Sequence, residues 1–220
     1  MYGQACRIIK PHKKSFSGEI TENDRNMLSE MAKRPFCDLF LSAFLNESDI
    51  NKFSGRIKTW NLYDLGYRLK DGKTVEILHP SSGAYANPGE LASGGLVINR
   101  GEVQYMGSQA SGGIFVNYGI AYSMGDAAQG GTFINLAATK DLARGASGGV
   151  FVEWTRPEDR SYPNGGEIYV ERKTIESDKI LSGLFDELEL AGREKGTEKI
   201  GKIARQVDSH IRANYKRRVA

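Results

Sequence analysis

The sequence predicts a mainly β protein, a parallel β-helix with coils of about 18 residues, flanked by N- and C-terminal α-helices. Three observations carry this. Glycine pairs recur at Gly94-Gly95, Gly112-Gly113, Gly130-Gly131 and Gly148-Gly149, each 18 residues after the last, and a fifth, Gly165-Gly166, comes one residue early. An alanine stands two residues before each of the first four pairs: Ala92, Ala110, Ala128 and Ala146. A largely apolar triplet follows each: Leu96-Val97-Ile98, Ile114-Phe115-Val116, Thr132-Phe133-Ile134 and Val150-Phe151-Val152, with Ile168-Tyr169-Val170 holding the same phase. The repeat is too short for helical repeats of ~34 residues. Its β-branched and aromatic triplets suit short strands, and glycine supplies the positive φ and close approach that tight corners need.

Within a strand, first and third residues share a face and the middle one points the other way. Leu96/Ile98, Ile114/Val116, Thr132/Ile134, Val150/Val152 and Ile168/Val170 are expected to fill the bore, with Met106, Met124 and Leu142 on another side of it. The middle residues then form an outward ladder of Val97, Phe115, Phe133, Phe151 and Tyr169. Phe115, Phe133, Phe151 and Tyr169 are the candidate interface residues, since such a row needs a cover, either the chain's own helices or a partner. Asn99, Asn117 and Asn135, followed by Glu153, are placed to hydrogen-bond from coil to coil.

The arms follow in order. A helix is expected from about Thr21, with Met27, Leu28 and Met31 at helical spacing, then Pro35 and an apolar stretch holding Phe36, Cys37, Phe40, Leu41 and Phe44. Tyr67–Ile77 reads as a hairpin around Asp71-Gly72 that caps the first coil. After the coils, Glu176–Leu190 carries Ile180, Leu181, Leu184, Phe185 and Leu188 as a helical stripe. Thr197 is the expected N-cap of a last helix bearing Ile200, Ile203, Ala204, Val207 and Ile211. The two stripes can pair with each other, fold back on the aromatic row, or mediate dimerisation. The division is a cap region over 1–80, a parallel β-helix over 81–172, and a helical hairpin with a basic tail over 173–220.

Composition agrees with one compact domain with arms: 220 residues, 40% hydrophobic, 26% charged, 26 glycines. No apolar run reaches the length of a transmembrane helix and the start lacks the pattern of a signal peptide. Cys6 and Cys37 suit a reduced, cytoplasmic protein. The net charge of +3 is uneven, because residues 195–220 hold eight basic and two acidic side chains. Lys202, Arg205, Arg212, Lys216, Arg217 and Arg218 are therefore the candidates for contact with an acidic partner such as nucleic acid. A solvated helix face with a frayed end is the plainer account of the same charges.

The run Met106-Gly107-x-x-Ala110-x-Gly112-Gly113-x-Phe115-Val116, then Gly119, then Met124-Gly125-x-x-Ala128-x-Gly130-Gly131-x-Phe133-Ile134 resembles the repeated glycine pattern of the GXGXG superfamily. Its members include the C-terminal domain of the glutamate synthase large subunit and one of the subunits of formylmethanofuran dehydrogenase. The likeness covers about residues 83–170. It implies a single-stranded right-handed parallel β-helix that serves as a non-catalytic scaffold between catalytic domains or subunits. From the residues alone, an 18-residue coil suits a left-handed hexapeptide helix equally.

Catalytic patterns are lacking in the sequence. His12, His79 and His210 all lie outside the coils, and His79, before Pro80, reads as a surface residue rather than a base. Ser93, Ser111 and Ser147 recur beside glycine with no histidine to activate them and read as corner hydrogen-bonders. No CxxC, HxxxH or phosphate-loop motif occurs, and the glycines lack a strand–GxGxxG–helix setting. No metal and no cofactor is expected. The leading expectation is a non-catalytic scaffold or assembly subunit that meets a protein partner or its own copies, with no membrane. The alternative is a nucleic-acid or ribonucleoprotein binder that uses the basic termini, and the third is an enzyme whose site forms between subunits.

Overall fold

Each of the first four glycine pairs opens a strand, and the strands stack in register. The computed structural model describes the backbone of residues 56–59 and, with side chains, residues 68–77, 87–155, 167–194 and 196–215. A seven-stranded parallel sheet runs through β1 (Arg56–Thr59), β2 (Thr74–Ile77), β3 (Ser93–Asn99), β5 (Gly112–Asn117), β7 (Thr132–Asn135), β9 (Gly149–Glu153) and β10 (Glu167–Glu171), in that order. The intervening strands β4 (Glu102–Met106), β6 (Ile120–Met124) and β8 (Thr139–Leu142) form a second parallel sheet. Arg56 pairs with Thr74, Leu96 with Ile114, Ile114 with Thr132, Thr132 with Val150 and Val150 with Ile168, so five of the six steps are 18 residues. The step from Thr74 to Leu96 is 22. The chain is a parallel β-solenoid with helices at its C-terminal end. Among the described residues no helix is long and apolar enough to cross a membrane.

The solenoid starts before the expected boundary at 81, and Tyr67–Ile77 is not a hairpin: β2 pairs in parallel with both β1 and β3. Asp71-Gly72 does turn the chain, with Gly72 at φ +77, but the 18-residue register chooses the partner strand. The burial of Val75, Glu76 and Ile77 in succession marks a strand covered on both faces rather than an alternating one.

The two faces of the long sheet are also exchanged relative to expectation. Phe115, Phe133 and Phe151 point into the bore, fully buried with Val97, Met106, Met124 and Leu142. Their rings stack nearly flat at 4.6 and 4.9 Å, close to the spacing that the ladder imposes on successive coils. Gly107 and Gly125 make room for the column: a Cβ on Gly107 would lie 2.6 Å from Phe133, and one on Gly125 would lie 2.5 Å from Phe151. Tyr169 is half-buried against this cluster and donates its hydroxyl to Glu153 at 2.6 Å. Phe115, Phe133 and Phe151 are therefore core, not interface, and Tyr169 packs against them. Alternation fixes which residues share a face but not which face is the bore, and here both are buried. The asparagine ladder forms as expected: Asn99 Nδ2 donates to Asn117 Oδ1 at 2.8 Å and Asn117 Nδ2 to Asn135 Oδ1 at 2.9 Å.

The outward residues Leu96, Ile98, Val116, Ile134, Val150, Val152, Ile168 and Val170 form a second core with the C-terminal helices. These are α1 (Arg172–Ser177), α2 (Lys179–Arg193) and α3 (Thr197–Asn214). Asp178 caps α2, its Oδ1 accepting from the Ile180 and Leu181 amides at 2.9 and 3.1 Å. Thr197 does not cap α3: it is the first helical residue, and its hydroxyl donates to the buried Glu76 at 2.8 Å. The stripes thus pair as a hairpin that folds back on the aliphatic rows. The helix expected from Thr21 and the apolar stretch around Phe40 lie outside the described residues.

Candidate functional site

Two surfaces of the described residues bear on function: a groove beside α3 and the outer face of the second sheet. The groove begins with geometry inside the stack. At the glycine pairs, successive coils approach so closely that a Cβ on Gly112 would sit 2.3 Å from the Ser93 carbonyl, and one on Gly130 would sit 2.3 Å from that of Ser111. This corner therefore stays bare backbone. α3 runs beside it, and between the two lies a cavity of about 630 Å³ lined by Ser111, Gln129, Thr132, Arg205, Asp208 and Arg212 among others.

The wall is ordered by a polar residue in a row that is apolar in the coils on either side of it. Thr132 stands where Leu96, Ile114, Val150 and Ile168 stand in other coils, and it is buried. Its hydroxyl donates to Asp208 and accepts from Arg212 Nη2 at 3.2 Å. Arg212 Nε donates to Asp208 at 2.7 Å, and Nη2 also reaches the Gly131 carbonyl at 3.4 Å. Thr132 interrupting the row, with Asp208 and Arg212 four apart on a helix, was the available sequence signal for this cluster.

The structure brings Lys202, Arg205 and Arg212 to α3, all exposed, with Arg205 and Arg212 lining the groove. The charge of Arg212 is matched by Asp208, whereas Arg205 has no ion pair or hydrogen bond to any described residue. Lys216, Arg217 and Arg218 lie outside the described residues, as do Cys6, Cys37, His12 and His79.

His210 is committed elsewhere. Its Nε2 meets Asp178 Oδ2 at 2.8 Å, and the same oxygen accepts the Tyr215 hydroxyl at 2.9 Å. One carboxylate thus ties the α1–α2 junction to the end of α3. Burial would raise the Asp178 carboxyl, but His210, the Leu181 and Ile180 amides and Tyr215 together hold it down, at about 2. Burial, and then the bond to Asp178, pushes the Tyr215 hydroxyl up to about 12. Asn214 Nδ2 lies 3.4 Å from the second ring nitrogen of His210. Asp178, His210 and Tyr215 thus form a clasp between the helix ends. Among the described residues no group of three His, Cys, Asp or Glu side chains is placed to hold a metal.

The second sheet differs from the first on its outer side. The core that contains the helices includes no residue of β4, β6 or β8. Ile120 is 54% exposed and Tyr122 41%. Tyr122 packs edge-on to Tyr105 at 6.2 Å and takes the Lys140 ammonium over its ring at 4.8 Å. Ile120 and Tyr122 were missed because the glycine-paired strands carry the stronger pattern; the alternation Ile120-Ala121-Tyr122 was the only cue. Compared with protein-family models, with curated proteins and with solved structures, the chain matches none, so the likeness to the GXGXG pattern rests on the repeat residues themselves.

Proposed function

We propose that the protein is a non-catalytic β-solenoid scaffold that associates with another protein chain, its own copy or a different one, through the outer face of β4–β6–β8. The observation that supports this reading is the exposure of Ile120 and Tyr122 side by side on a strand of a rigid sheet. An extended, regular surface presenting an apolar and an aromatic side chain is the composition on which protein interfaces centre. Among the described residues the core formed with the helices takes in the long sheet and no residue of the short one, which supports the short sheet as a face for a partner. Among the described residues the one histidine, His210, is engaged by Asp178 in the clasp.

Affinity purification of the full chain, followed by light scattering, tests this. A defined protein complex or homo-oligomer is expected, and Ile120→Asp combined with Tyr122→Asp should abolish it while the circular dichroism stays unchanged. A monomer that retains no protein, or a complex indifferent to both substitutions, would overturn the reading.

A further inference from the structure

We propose that the groove between the glycine corner and α3 binds an extended peptide segment of a partner, anchored by one carboxylate on Arg205. This surface is separate from the β4–β6–β8 face, so either assignment can fail without the other. The glycines have their own explanation in coil stacking; the ligand is indicated by what α3 leaves open above them.

The shape comes first. α3 runs along the stacking axis: Thr197 bonds to Glu76 on β2, Gly201 lies against Leu96 on β3, and Asp208 and Arg212 meet Thr132 on β7. The groove it walls extends from Asp71 and Gly72 past Gly95, Gly113 and Gly131 to Gly149. That is four coil steps, or about 19 Å at ~4.8 Å per step. Five or six residues of extended chain span about that length. A cavity of about 630 Å³ drawn out along such a path is narrow, and it suits a single strand.

Chemistry then selects among linear ligands. The lining offers hydroxyl, amide and guanidinium groups, from Ser111, Gln129 and Arg205, against a floor of backbone. Among the described residues that line the groove none is aromatic, so they offer a nucleobase no ring to stack on, which single-stranded nucleic-acid sites ordinarily supply. Charge points the same way. Asp208 balances Arg212, and Asp71, which accepts the Gly95 amide at 3.3 Å, balances Arg205 in the formal count. A repeating polyanion gains little from such a groove. One carboxylate, from an acidic side chain or a chain terminus, meets the guanidinium that has no partner among the described residues, and the groove's amide and hydroxyl groups serve a peptide backbone.

The test uses the full chain and fluorescence anisotropy. The probes are a pool of labelled hexapeptides carrying one glutamate at each position in turn, the same pool with glutamine, and a labelled twelve-nucleotide oligouridylate. The glutamate pool should bind about tenfold more tightly than the glutamine pool, a margin set by one charge-assisted contact. Arg205→Ala, an exposed position, should erase that preference, whereas Arg193→Ala on α2 should leave it. The proposal is overturned if neither pool saturates, if the preference survives Arg205→Ala, or if the oligouridylate binds through Arg205 in place of the peptides.

Discussion

The two sheets of the solenoid are built from the same coils, yet they meet the outside differently. On the long sheet, the outward residues Ile98, Val116, Ile134 and Val152 lie under α2 and α3 and are fully buried. On the short sheet, Ile120 and Tyr122 lie at the surface. A β-strand with one buried face alternates, whereas a strand buried on both faces reads as a continuous apolar run. The contrast between Ile114-Phe115-Val116 and Glu102-Val103-Gln104 records which sheet the helices cover. The lesson is that the repeat sets the stack, and the arms decide which surface is left for other molecules.

The largest effect should come from inside the bore. Phe133→Ala removes the ring stacked between Phe115 and Phe151 and should cost about 3–5 kcal/mol, read as a lower denaturant midpoint; Ile134→Val, one residue on but under the helices, should cost only about 0.5–1.5 kcal/mol. If both cost the same small amount, the assignment of the two faces is wrong. Next comes the amide ladder. Asn117→Ala leaves Asn135 Oδ1 without its donor and Asn99 Nδ2 with only the Ile120 carbonyl, and an orphaned buried group is worth about 1–3 kcal/mol. A neutral result would show that the ladder contributes nothing.

The clasp sharpens the comparison by testing how the cover is held. Asp178→Ala should cost about 0.5–2 kcal/mol at neutral pH through loss of the α2 cap, more if the bonds to His210 and Tyr215 contribute. The folded carboxyl titrates at about 2, below its ordinary value of 3.8. Its stabilisation is therefore present above pH 4 and lost as pH falls toward 2. The gap between wild type and variant should close over that range in thermal melts, and a gap that persists at pH 2 contradicts the assignment. The smallest effect is expected at the open face. Ile120→Asp should change the stability of the isolated chain by no more than about 0.5 kcal/mol, whereas it should weaken association strongly.

The register was legible because the glycine pairs are a steric necessity of the stack: where a Cβ would sit 2.3 Å from a neighbouring carbonyl, no other residue can stand. The first two strands were not, since Arg56–Thr59 and Thr74–Ile77 carry no glycine pair and the next step is four residues longer. Facing was not legible either, because a period of two is symmetric between inside and outside. The apolar stripes of α2 and α3 already stated that a second apolar layer existed to be covered, and combining them with the triplets resolves the choice. The groove depends on how α3 is laid along the coils, which Arg205 and Arg212, seven apart, hint at only once the helix is known to run along the stack.

Hydrogen–deuterium exchange of the purified chain, free and in its complex, tests most directly whether the uncovered sheet is where association happens. Added protection confined to 102–106, 120–124 and 139–142 is the predicted result. Protection that falls instead on the outer surface of α2, around Ile180 and Leu190, with those three strands unchanged, would contradict it.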